Sequence, residues 1–258
     1  MNSELQFGSG LALLAGVLAI ALSLVHLFAR NIRSFNTIPR SRWLSFSSGI
    51  SVAYVFVHIL PDLSEAQETI RQTLDETSVN QSLLFLEHHI YLMALLGISV
   101  FYGLERAVTV SRQRNQDSGK GDIPEIGIFW LHIGSFALYN ALIGYLLFHR
   151  EEPGLWSLLL FAIALGFHFI VNDYGLRDNH KHIYDKTGRW ILAAAVLVGA
   201  AIGYGTHIHE AAIALLFAFL AGGIILNVLK EELPEDRESH FGSFVLGAGI
   251  YAVLLLTV

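Results

Sequence analysis

The stretch LWSLLLFAIALGFHFIVNDYGL, residues 155–176, decides how this chain is read. An α-helix needs about 20 mostly apolar residues to cross a hydrocarbon core of about 30 Å, and this run is long enough. Yet it carries His168, Asn172 and Asp173 close together. On insertion scales an ionisable group near the bilayer centre costs about 2.5–3.5 kcal/mol. Such side chains turn toward a protein interior or a wet cavity, and they mark candidate functional sites. His168 and Asn172 are four residues apart and therefore stack on one helix face, with Asp173 beside them.

The rest of the chain has the same character. It is 53% hydrophobic and 15% charged, with a mean hydropathy of +0.53, whereas a soluble domain carries about 25% charged residues. Eight apolar segments can be marked, at about 8–29, 43–61, 83–104, 126–148, 155–177, 190–206, 211–229 and 241–258. The expectation is an all-α polytopic membrane protein, residues 1–258 forming a single domain of eight transmembrane helices. The first segment lacks a positive leader and carries Glu4, so it reads as a retained span, not a signal peptide. The chain has no cysteine, which excludes disulfides and thiolate chemistry. No basic patch with interleaved aromatics points to nucleic acid. The connection RAVTVSRQRNQDSGKGD is the best candidate for a flexible loop.

Charge supplies an orientation. The odd-numbered connections hold Arg30, Arg33, Arg40 and Arg42, then Arg106, Arg112, Arg114 and Lys120, then Arg177, Lys181, Lys186 and Arg189, and finally Lys230 and Arg237. Only Arg71 and Arg150 of the 16 basic residues fall elsewhere. Lysine and arginine concentrate on the cytoplasmic side, so both termini are expected to be extracytoplasmic, in a plasma or inner membrane. Small residues at close-packing spacing, Gly199, Ala200, Gly203, Ala221, Gly222, Gly223, Gly242, Gly247 and Gly249, suit backbone-to-backbone contact between helices.

Other polar residues fall inside the spans. His132, Ser135, Tyr139 and Asn140 share one stripe of the fourth segment. Imidazole, amide and carboxylate donors together suit zinc, manganese or ferrous iron. His58 and Asp62 lie four apart across Pro61 at the outer end of the second segment. They read either as an entrance that captures a cation or as a solvated acid beyond a helix stop. Glu87, His88 and His89 sit at an outer interface. His207, His209 and Glu210 form an outer turn, and His180 and His182 an inner one, each a loose metal-loading site, a pH-sensitive loop or an ordinary wet loop. His26, His149 and His240 suggest no role.

These residues together resemble the ZIP (Zrt/Irt-like) divalent metal-ion transporters. HILPDLSEA at 58–66 is similar to the end of that family's second helix, MALLGISVFYGLE at 93–105 to its third and AGGIILNVLKEELPE at 221–235 to its seventh. The family's His-Asn-x-x-Asp-Gly motif falls on YNALIG at 139–144, retaining Asn140 and Gly144 but carrying Tyr139 and Ile143. Its His-Glu-x-Pro-His-Glu motif falls on HFIVND at 168–173, retaining His168, with Asp173 for the closing acid, Asn172 for the inner histidine, and Phe169 and Val171 departing. The resemblance implies eight helices, a homodimer, and a divalent cation, zinc, iron or manganese, moved toward the cytoplasm as substrate without an organic cofactor. Carried over, the metal ligands are His168, Asp173, Asn140 and Asn172, with Tyr139 and His132 within reach. With two family carboxylates replaced by apolar residues, at most one ion fits. Two alternatives are a ZIP-like protein that senses metal or serves a partner without transporting, and an intramembrane metal-dependent hydrolase using His168, Asp173 and His58.

Overall fold

The computed structural model describes residues 2–29, 40–76, 89–149, 154–206, 208–232 and 240–256, with the backbone alone at 2–9, 40, 41, 44, 72–76, 210, 231 and 232. Glu87, His88 and His207 lie outside the described residues, as do Arg30, Arg33, Arg150 and Arg237. Every regular element among the described residues is helical: α1 (Asn2–Phe28), α2 (Arg40–Tyr54), α3 (Leu60–Glu76), α4 (His89–Asp117), α5 (Ile126–Leu146), α6 (Leu155–Ile183), α7 (Arg189–Gly205), α8 (Glu210–Asn227) and α9 (Phe241–Leu256). Short π-helical turns, Val55–Ile59, Tyr184–Gly188 and Val228–Glu232, join α2 to α3, join α6 to α7 and follow α8.

Six stretches are long and apolar enough to cross a membrane: Gly10–Phe28, Ser45–Arg71, His89–Asp117, Ile126–Leu146, Leu155–Gly205 and Ala211–Lys230; Phe241–Leu256 is a shorter apolar helix. Large apolar side chains such as Leu13, Val17, Tyr102, Leu138 and Val253 are exposed, the outward face that lipid requires and water penalises. This is the make-up of an integral, multi-pass membrane protein. The stretch Leu155–Gly205 is not one rod: Lys181 breaks the helix with φ 50° and ψ −130°, and both halves pack against α1.

Three helix pairs carry the closest approaches. A Cβ at Gly144 would lie 2.1 Å from the Val196 carbonyl oxygen, and one at Gly199 1.9 Å from that of Ala141, so α5 and α7 meet backbone to backbone. Gly97 and Gly222 do the same for α4 and α8, and Gly49 and Gly247 for α2 and α9. Gly199, Gly203, Gly222 and Gly247 thus serve the packing expected of them, whereas Gly249 faces open space.

Two connections differ from expectation. Pro61 does not end the second segment; it falls in the first turn of α3, where its missing N–H costs least, and the helix continues to Glu76. The preceding π turn lies in the ladder that the proline ring would otherwise disturb. The expected flexible loop is helical to Asp117 and then tied down. Asn115 donates to the Ile123 carbonyl at 2.8 Å, the Glu125 N–H donates to Ser111 Oγ at 2.8 Å, and Arg112 grips Asp122 with two nitrogens at 2.9 and 2.8 Å. Gly119 and Gly121, at φ 70° and 100°, supply the left-handed backbone of the reversal.

The Arg112 guanidinium, by hydrogen bonding, holds the Asp122 carboxyl below its usual range. A depressed carboxyl pKa contributes stability that is present above the ordinary carboxylate range and lost as pH falls through the lowered value. The Asp122 side chain is 42% exposed, so Asp122→Asn should cost under about 1 kcal/mol at pH 7. Melting curves of variant and wild type should converge as the medium becomes strongly acid.

Candidate functional site

The centre of the bundle holds a fully buried polar network built around His26, near the end of α1. His26 Nδ1 lies 2.8 Å from Asp173 Oδ1 on α6, and Nε2 lies 2.9 Å from Asn140 Oδ1 on α5. The Asn140 amide nitrogen donates to the Phe136 carbonyl at 2.7 Å, which fixes its oxygen toward the imidazole. With Asp173 ionised, both partners of His26 are acceptors, both ring nitrogens donate, and the ring is an imidazolium facing the carboxylate. Tyr184, in the π turn after α6, donates its hydroxyl to the same carboxylate oxygen. His26, Asn140 and Asp173 are each 0% exposed.

The other half of that carboxylate is bare. Asp173 Oδ2 is buried without a hydrogen-bond partner, and so is the neighbouring Asn172 Nδ2. A buried polar atom left unpaired costs about 1–3 kcal/mol, more when charged. Folding tolerates such atoms where a ligand or water completes them.

His168 stands one turn before Asn172, buried, with Nε2 2.9 Å from the Tyr139 hydroxyl. Phe169 packs against both imidazoles, its centroid 4.4 Å from the His26 ring and 6.5 Å from that of His168. Where the resemblance carries a glutamate, the chain places this ring. All four primary candidates, His168, Asp173, Asn140 and Asn172, are thus buried on the faces of α5 and α6 turned into the protein, and Tyr139 joins them. Among the described residues, however, no group of three or more His, Asp or Glu side chains is arranged as a metal cage. Asn140 Oδ1 and Asp173 Oδ1 are each engaged by His26 instead.

The secondary candidates go elsewhere. His132 and His180 meet each other at 2.8 Å, and the other edge of His132 meets Glu105 of α4 at 3.0 Å. Both histidines leave the ligand set, and Ser135 spends its hydroxyl on the Leu131 carbonyl. His182 is exposed while His180 is 1% exposed, because the helix break at Lys181 turns them to different sides; the inner His-x-His pair is not a chelate. His58 and Asp62 do come together, at 3.4 Å, both mostly buried. His209 accepts a hydrogen bond from the Ala211 N–H as the N-cap of α8. His240 caps α9 in the same manner through the Ser243 N–H.

Sequence reasoning missed His26, Tyr184 and Glu105. His26 pairs across 147 residues with Asp173, and only its position inside an apolar segment hinted at a partner. His26→Ala leaves a buried carboxylate without its imidazolium, and breaking a buried pair this way costs about 3–5 kcal/mol. Thermal unfolding of the purified protein should show a correspondingly large drop in Tm, and an unchanged Tm would contradict the charged pair.

Compared with known proteins, the chain matches no family model and no curated protein.

Proposed function

We propose that the chain is a ZIP-like carrier that moves one divalent cation, zinc, ferrous iron or manganese, across a membrane toward the cytoplasm. The observation that carries the reading is the unpartnered Asp173 Oδ2, a buried carboxylate oxygen on α6 whose other oxygen faces His26 of α1. Asn172 adjoins Asp173 in sequence, Asn140 shares its partner His26, and His168 stands on the same helix; oxygen and imidazole donors together suit first-row divalent ions. A single carboxylate gives a weak site, which fits a carrier that must release its cargo. In the cation-free state the His26 imidazolium neutralises Asp173; a bound ion requires that ring to withdraw from Asn140 and Asp173. His58 and Asp62 form the entrance.

The topology proposed is eight crossings with both termini outside. A straight helix over Leu155–Gly205 would be about 76 Å long at 1.5 Å per residue, far beyond a core of about 30 Å, so α6 and α7 count as two crossings around the break at Lys181. With α9 added, the described helices support the alternation of basic connections that sets the orientation. The protein is placed in a plasma or inner membrane as a homodimer, with lipid as its surroundings.

One observation favours the second reading, a ZIP-like protein that does not transport: Asn140 Oδ1 and Asp173 Oδ1 are already held by His26 and Tyr184. Uptake of zinc, manganese and ferrous iron into proteoliposomes separates the two. Wild type should accumulate at least one of the ions, and His168→Ala should lose most of that uptake. No uptake by wild type overturns the carrier reading, and equal uptake by both removes His168 from the pathway.

A further inference from the structure

We infer that Glu105, His132 and His180 form a proton-binding relay, a second site whose ligand is the proton itself, separate from the cation site around Asp173. The three side chains come from α4, α5 and α6 and are joined in line: Glu105 Oε1 to His132 Nε2 at 3.0 Å, then His132 Nδ1 to His180 Nε2 at 2.8 Å. Lys230, in the π turn after α8, bonds the other carboxylate oxygen at 2.5 Å. The relay runs from a half-exposed ammonium (41% exposed) through a carboxylate at 10% to a histidine at 1%. Its Lys230 end is thus solvated and its His180 end buried.

The hydrogen-bond inventory determines what the line can do. A carboxylate beside an ammonium only accepts, so His132 Nε2 carries a hydrogen and donates it to Glu105. With both rings neutral, His132 Nδ1 has a lone pair and takes the hydrogen of His180 Nε2. His180 Nδ1 is then a bare acceptor, and that atom is buried without a hydrogen-bond partner. A proton arriving at His180 Nδ1 forms an N–H bond there. The Nε2–H bond of His180 breaks as its hydrogen passes to His132 Nδ1. The positive charge comes to rest on His132, against the Glu105 carboxylate, and no other reactant is needed. The reverse sequence returns the proton.

The charges facing the pair are few. From α4 come Glu105 and Arg112, the latter already engaged with Asp122, Asn179 and Asp178. Lys230 is tied to Glu105, and Arg189 of α7 donates to the Leu27 carbonyl. On α6 itself, Asp178 and Lys181 pair with each other at 3.0 Å. From α5 only Phe129 and Phe136 press on the rings, with centroids 5.1 Å from His180 and 4.9 Å from His132. Among the described residues Glu105 is thus the acid in direct contact with the pair, and it is aligned to favour the protonated state.

The test uses the full chain, labelled with 15N-histidine, in lipid nanodiscs free of divalent cations. Ring-nitrogen signals are followed from pH 4 to 9 and assigned with His132→Gln and His180→Gln. The relay predicts that the two rings take up one proton together, with a common midpoint. Glu105→Gln should lower the proton affinity of the pair at least tenfold, a midpoint about one pH unit lower. His168→Ala, outside the relay, should leave that midpoint in place. Two independent midpoints, no proton uptake across the range, or a midpoint unmoved by Glu105→Gln would each overturn the assignment. If Glu105→Gln fails to fold, Lys230→Met serves as the second variant. Removing the ammonium that competes for Glu105 should raise the midpoint, and an unmoved or lowered midpoint would overturn the relay. Because no divalent cation is in the sample, this result stands or falls separately from cation uptake.

Discussion

Asp173→Asn should reduce divalent-cation uptake at least 100-fold while the protein still folds. Asparagine keeps the volume of aspartate and an oxygen that can accept from both His26 and Tyr184, so the internal bonds retain their partners. What disappears is the negative charge and, with it, the unpaired carboxylate oxygen at Oδ2. A divalent ion held by amides and one neutral imidazole has no charge to offset it, and the loss of that attraction in a buried site outweighs any steric change. The variant leaves the His26 imidazolium buried without its carboxylate, which costs about 3–5 kcal/mol, so Tm should fall while the unfolding transition stays cooperative. Uptake and thermal melting on the same preparation separate the two effects. Retained uptake with a lowered Tm would make Asp173 a structural residue and nothing more.

The second large effect concerns the fold. Gly199→Leu should abolish assembly of the bundle. A Cβ alone at position 199 would sit 1.9 Å from the Ala141 carbonyl oxygen, 2.6 Å from its carbon and 2.7 Å from its Cα, all backbone atoms that no side-chain rotation can clear. Overpacking in a close-packed interior typically costs 1–3 kcal/mol, occasionally more, and here the clash is with a helix backbone. Moving α7 away from α5 would also pull Gly144 off Val196, since the two contacts belong to one crossing. Gly249→Leu is the matched control, because nothing lies within 4 Å of a Cβ there. Size-exclusion profiles in detergent should show aggregation for the first variant and a wild-type peak for the second.

The helices were legible in the sequence because a long apolar run with charges pushed to its ends leaves the backbone one solution in lipid, the helix. The same signal blurred the boundaries. α3 and the last turns of α4 are helical although their sequences are charged, since they lean on neighbouring helices instead of lipid. The stripe of α5 bearing His132, Ser135, Tyr139 and Asn140, and the pair His168 and Asn172 on α6, followed from helical periodicity alone; all but the half-buried Ser135 are buried. Their partners did not follow. His26 reaches Asp173 and Asn140 from the far end of the chain, Glu105 looked like the edge of a connection, and Lys230 looked like one more cytoplasmic charge. Periodicity assigns a residue to a face but carries no information on which distant helix that face meets. The sequence also placed His132 with Asn140 because they share a stripe. Eight residues is about 12 Å along a helix axis, enough for two separate polar networks.

The most direct test of the central claim is equilibrium binding of manganese to the purified protein, read by electron paramagnetic resonance, in wild type and Asp173→Asn. One ion per chain in wild type, and none in the variant, is the predicted result. Equal occupancy in both, or no saturable binding in wild type, would contradict a cation site at Asp173.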